Sequence, residues 1–240
     1  MNNLFIAEPP FNTKKIPAII GLANKVIKRI GYNYALKPLL DPFRDMNSIE
    51  QRNNYYLLID SIIANNIEGE MVEMGCFTGH CAMLFQKTIE ERHSNKQLHL
   101  YDSFEKKFAI TGSVEDELKK NFKSAALKLP LIHKGMFEQT VPQELPDKIA
   151  FAHIDCGWGG DKMIHKNIVL YCLEHIYPRM SKGAICVLMD YYDESITPAG
   201  IGLNANPGVK LACDDFLENK PEEMIYIYSN DYSHGFFRKN

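Results

Sequence analysis

From Glu70 onward the chain alternates short apolar runs with amphipathic segments of helical period. This alternation restricts the fold more than any other feature of the 240 residues. EMVEMG (70–75), QLHLYD (97–102), LIHKG (131–135), IAFAHID (149–155) and GAICVLMDYY (183–192) read as strands. Residues 80–93, 113–127 and 166–180 read as helices between them. Short, continuously apolar strands joined by helices form a parallel sheet covered on both faces. A helix over 210–217 and two close late strands, MIYIYS and GFFRK, complete the pattern. The expected fold class is α/β, a Rossmann-like, seven-stranded, mostly parallel sheet.

Ahead of the alternation, Ser48-Ile-Glu-Gln51 has the form of a capping box and opens a helix that runs through Ile63. Residues 1–47 form an N-terminal helical extension to a single domain over 48–240. The spacing places Ile19, Ala23, Ile27 and Ile30 on one helix face. That face is expected to pack on the domain. Its other readings are a lid or a contact in a homo-oligomer.

Composition excludes several classes. With 45% hydrophobic and 24% charged residues the chain is an ordinary globular one. A formal net charge of −3 with scattered basic residues gives no footprint for nucleic acid or an anionic membrane. No apolar run approaches the length of a membrane span, and the first residues lack a secretory pattern. The six cysteines never form C-x-x-C, so they suggest a reduced set in a cytoplasmic protein.

In open α/β sheets, ligands bind beyond the carboxyl ends of the strands, where strand order reverses. The first strand ends Glu73-Met74-Gly75-Cys76-Phe77-Thr78-Gly79, the pattern E-x-G-x-x-x-G. A dinucleotide pyrophosphate needs a third glycine before the helix, so NAD is disfavoured. S-adenosyl-L-methionine carries no phosphate. Its ammonium needs an acid at this turn, and Glu73 is placed to supply one. Asp102-Ser103 ends the next strand, where a carboxylate can accept from both ribose hydroxyls.

MVEMGCFTGHCAMLF, LYDSFE, KGMFEQTVP, AFAHID and PGVKLACDDF occur in the order found in the macrocin O-methyltransferase (TylF-type) family. The resemblance runs from about Ser48 to about Arg238. It implies a class I S-adenosylmethionine-dependent methyltransferase fold and transfer to a hydroxyl, often on sugars of natural products. On this resemblance Glu73, Met74, Gly75 and Gly79 form the cofactor loop, and Asp102 with Ser103 meets the ribose. Gly135, Met136 and Phe137 line the adenine side.

The family characteristically carries D-x-D after the fourth strand and a D-D pair after the fifth. Here those positions read Asp155-Cys156-Gly157 and Met189-Asp190-Tyr191, so two of four acids are missing. The remaining pair, Asp155 and Asp190, suffices for Mg²⁺ only if a diol acceptor and water complete the shell. Asp155 is then the first candidate for general base, as well as a residue beside the cofactor, with His165 and Asp161 as local alternatives.

Other residues have plainer expectations. His153 is expected to point into the sheet packing, His175 into the core, and His80 to sit in a first helical turn. Trp158 is either loop packing or a ligand wall. The loop over 197–208 is expected to cover the acceptor, and Asp214 and Asp215 to lie on a solvated face. The leading reading is an O-methyltransferase acting on a sugar or other polyhydroxylated small molecule. The competing ones are a cofactor-binding scaffold without catalysis and, less favoured, a dinucleotide oxidoreductase.

Overall fold

A computed structural model describes residues 17–36, 47–108, 110–156, 160–197, 202, 204–229 and 232–240. Gly157 and Trp158 fall outside the described residues, as do 198–201 of the acceptor loop.

Two helices lead in, α1 (Ala18–Arg29) and α2 (Ile49–Ala64). The alternation follows: β1 (Glu70–Met74), α3 (His80–Glu91), β2 (Leu98–Asp102), α4 (Val114–Ser124) and β3 (Leu131–Lys134). After these come α5 (Phe137–Glu144), β4 (Ile149–Ile154), α6 (Lys162–Ile176) and β5 (Met180–Met189). The chain closes with α7 (Gly208–Leu217), β6 (Ile225–Ile227) and β7 (His234–Arg238). The strands form one seven-stranded sheet in the order β3-β2-β1-β4-β5-β7-β6. Every pairing is parallel except those of β7 with β5 and β6. The expected α/β fold class is the one observed.

Alternation along the strands sends successive side chains to opposite faces and so builds two cores. Met71, Leu100, Phe151 and Val187 face Tyr55 and Ile59 of α2, Phe85 of α3 and Leu118 of α4. Val72, Met74, Ala152 and Leu188 face Val141 of α5, Val169 of α6 and Val209 of α7. The capping box at Ser48 is present in both directions, through the Gln51 amide at 3.1 Å and the Ser48 amide at 2.9 Å. The Ser48 hydroxyl also donates to the Ser229 carbonyl at 2.7 Å, which ties the start of α2 to the far end of the sheet.

Three expectations are corrected. α1 buries none of its residues: Ile19 and Ile30 are 75% and 63% exposed, so its apolar face is not packed on the domain. α5 falls where no element was read from the sequence, and Pro142 lies within it. Arg179 makes it possible by donating to the carbonyls of Pro142 and Leu145, satisfying its C-terminal end. α6 begins four residues earlier than its periodicity suggests, because Asp161 accepts from the Met163 and Ile164 amides and caps it there.

Strand order reverses between β1 and β4, and there the two strands approach most closely. Gly75 has φ 82°, and a Cβ at this position would overlap the carbonyl oxygen of Asp155. Gly75→Ala therefore meets both a left-handed backbone and a backbone atom, and should cost about 3 kcal/mol or more. Gly112→Ala, at φ 109° with nothing within 4 Å of the added carbon, isolates the backbone strain. It should cost roughly 1–2 kcal/mol in the same denaturant titration. Equal effects of the two substitutions would remove the close approach as the reason for Gly75.

Candidate active site

The sheet order brings β2, β1, β4 and β5 side by side, and each ends at an acid: Asp102, Glu73, Asp155 and Asp190. Neighbouring strands lie about 4.8 Å apart, so the acids are strung along one edge of the sheet. All four line a cavity of about 440 Å³. The ladder continues into the turns, with the Gly75 amide donating to Tyr101 O and the Asp155 amide to Met74 O, both at 2.8 Å.

Asp102 organises the glycine turn. Its Oδ2 accepts from the Cys76 and Phe77 amides, each at 2.9 Å, and its Oδ1 from the Phe104 amide at 2.7 Å. A carboxylate has about four acceptor sites, so roughly one remains for a ligand. The bonds from Cys76 and Phe77 also hold Phe77 at φ 45°, a conformation that strains a bulky side chain.

Glu73 is 1% exposed. Its Oε1 lies 3.0 Å from His153 Nδ1, and its Oε2 is buried with no hydrogen-bond partner. Burial, and next the negative charge of Asp102, push its carboxyl well above the ordinary range. His153 is depressed to about 4 by burial, with Asp155 and Asp190 pulling the other way. Burial pushes Asp155 up to about 7, with His153 opposing and Asp190, Glu73 and Asp102 adding to the rise. Burial also raises Asp190, against the hydrogen bond donated by Asn206 Nδ2 to its Oδ2 at 2.5 Å.

Of the residues expected at a site, Glu73, Gly75, Asp102, Ser103, Gly135, Met136, Phe137, Asp155 and Asp190 line this one cavity. Met74 does not: alternation turns it to the opposite face, into the core under α5 and α6. Gly79 does not either. It takes φ 82° at the start of α3, where a side chain would press on Leu118 and Phe122. His165 is buried beside Cys156 and against Gly208, where α6 meets α7, and is not among the cavity residues. Asp161 is taken up as the α6 cap. His153 is buried as expected, yet it is joined to polar groups on both sides. His175 is half-buried and bonded to the Tyr171 carbonyl, not enclosed in the core.

Sequence reasoning missed Thr78, whose hydroxyl is buried without a partner in the cavity wall. It also missed Asn47, Phe77, Lys106, Phe108 and Tyr232. Thr78 lies inside the glycine motif and so had a signal. Tyr232, far along the chain, had none. Among the described residues, the group of three that brings potential metal ligands within 4.8 Å of one another is Glu73, Cys81 and His153. Asp155 and Asp190 form no such trio.

The family model for macrocin O-methyltransferases (TylF) matches residues 45–199. The chain belongs to this family. No curated protein sequence matches it. Among solved structures it resembles the O-methyltransferase NovP, with a TM-score of 0.62 at 19% identity over 80% of each chain. It also resembles CalS11, a calicheamicin methyltransferase, with a TM-score of 0.57 at 15% identity over 94% of each chain. SMU.1697c from Streptococcus mutans, solved in complex with SAH, aligns with a TM-score of 0.53 at 13% identity. That alignment covers 80% of this chain and 98% of the other. At these identities the likeness is one of fold. The four strand-end acids fall within the span that the family model covers, whereas Asn206 and Tyr232 lie beyond it.

The Asp155 shift has a sign that can be measured. Its carboxyl rises from 3.8 unfolded to about 7 folded, so between those values the native state keeps a proton that the unfolded chain releases. Its contribution to stability is therefore present at low pH and lost as pH rises through that window. Asp155→Asn, followed by thermal melts with chelator present, should gain stability relative to the native chain from about pH 4 to about pH 7 and level off above. A difference that stays constant over that range would show that Asp155 titrates as in water.

Proposed function

We propose that this chain is an S-adenosyl-L-methionine-dependent O-methyltransferase acting on a hydroxyl of a sugar or another polyhydroxylated small molecule. One observation carries the reading. A single cavity joins a carboxylate with a buried, unpaired oxygen, Glu73, to a pair of acids, Asp155 and Asp190, one and two strands along.

The residues present fit the cofactor. The unpaired Glu73 Oε2 suits its ammonium and the unpaired Thr78 hydroxyl its carboxylate, while Asp102 keeps one acceptor site for the ribose. Phe77 and Phe108, edge to face at 5.1 Å, and Gly135 to Phe137 offer an apolar seat for the adenine. When bound, the cofactor supplies an electrophilic methyl group. Binding of SAH in SMU.1697c and the sugar chemistry named for CalS11, a TDP-rhamnose 3′-O-methyltransferase, support the same assignment.

Asp155 accepts the proton of the acceptor hydroxyl. A base works best when its pKa lies near the working pH, and the position near 7 meets that condition. Asp190 holds a second charge beside it, and Asn206 orients Asp190. His165 is buried behind Cys156, which lines the cavity, and we assign the base to Asp155. Mg²⁺ would be held by Asp155, Asp190 and the Asn206 amide oxygen after an amide flip, and there would acidify the hydroxyl. The end of the acceptor loop, Ala205 and Asn206, contributes to the wall on this side.

Titration calorimetry should show binding of S-adenosylmethionine and none of NAD. Asp102→Ala, which frees the glycine turn, should weaken that binding about tenfold or more. Asp155→Ala should abolish transfer to a panel of sugars and nucleotide sugars while leaving cofactor affinity within about threefold. Transfer that stops with chelator and returns with Mg²⁺ assigns the acid pair to metal. Transfer that survives chelation assigns Asp155 to the base role unaided. Cofactor binding without turnover on any acceptor would favour the scaffold reading.

A further inference from the structure

Glu73 and His153 are paired positions in the register of β1 and β4, so their side chains leave the same sheet face side by side. His153 has no exposed surface. The rings of Tyr55 and Phe85 stand edge-on to it, with centroids at 5.0 and 5.3 Å. Its Nδ1 lies 3.0 Å from Glu73 Oε1 and its Nε2 lies 3.2 Å from the Tyr55 hydroxyl. With Glu73 ionised, as a cationic ligand would hold it, one tautomer satisfies both contacts: Tyr55 O–H donates to Nε2, and Nδ1–H donates to the carboxylate. The hydroxyl also sits 3.4 Å from Met189 Sδ, a weaker acceptor than an imidazole nitrogen.

With Oε1 engaged, the Glu73 carboxylate is held in one orientation, and Oε2 is the buried oxygen left without a partner in a residue that lines the cavity. We infer that His153, braced by Tyr55, is a positioning residue that presents Glu73 Oε2 to the ammonium group of the bound cofactor. This rests on the function proposed above. A glutamate side chain has three rotatable bonds, and the contact with His153 fixes this one from behind. Cys81 completes a trio with Glu73 and His153 that a soft metal ion could use. A hydrogen bond already joins two of the three, which favours the positioning role.

The test compares two ligands by calorimetry. S-adenosylhomocysteine carries the ammonium. 5′-Deoxy-5′-methylthioadenosine has the same nucleoside and thioether but no amino-acid end. His153→Leu should weaken the first about tenfold or more and the second by less than about twofold. His153→Asn, whose amide can donate in place of Nδ1–H, should recover most of the loss. Tyr55→Phe, which removes only the hydroxyl, should weaken the first several-fold and spare the second. It carries the comparison if His153→Leu does not fold.

Unchanged binding of S-adenosylhomocysteine, or an equal loss for both ligands, overturns the inference. So does one-to-one binding of Zn²⁺ by the native chain that His153→Asn abolishes. A native chain that binds neither ligand sinks the proposed function itself, a result distinct from any seen only in the variants.

Discussion

The contact between the end of β1 and the end of β4 governs the rest of the structure. Here the sheet changes direction, and the backbone of Gly75 lies against the Asp155 carbonyl with no room for a side chain. The approach keeps the two strands hydrogen-bonded to their last residues, through the Asp155 amide and Met74 O. It also sets Glu73 beside His153 and carries Asp155 into the same crevice. A side chain at Gly75 would separate the strands where the cavity forms, so the fold and the site share one constraint.

The cavity edge concentrates acids, with Glu73 buried and Asp102, Asp155 and Asp190 half-buried. An ionised carboxylate in such a place is costly unless it is hydrogen-bonded, paired or protonated. The chain uses different answers at different strands. Asp102 takes three backbone amides and thereby shapes the glycine turn. Glu73 takes one histidine and keeps an oxygen in reserve. Asp155 and Asp190 are raised, Asp155 to about 7, and are therefore ready to exchange a proton or to receive a cation.

Much of the fold was legible in the sequence because it depends on local periodicity. The strands appear as apolar runs, the Ser48–Gln51 box caps α2 as its spacing requires, and the late hairpin adds the antiparallel strand. The misses have definite causes. Pro142 hides α5, since the guanidinium that compensates for it sits 37 residues away on Arg179. Met74 and Gly79 belong to the glycine motif, yet one faces the opposite core and the other serves helix packing. His165, read as a candidate base from its neighbours in sequence, is buried where α7 approaches through Gly208.

The sequence by itself determined the parallel sheet, the place of the glycine turn and the presence of acids at successive strand ends, because each is written in contiguous residues. Only the tertiary structure decided which acids are desolvated, which oxygens are already taken and which histidine serves an acid. Those properties depend on burial and on hydrogen bonds between residues far apart in the chain, 80 and 98 positions in the path from Glu73 through His153 to Tyr55. Burial and long-range bonding leave no trace in local pattern, and they set the chemistry of the cavity.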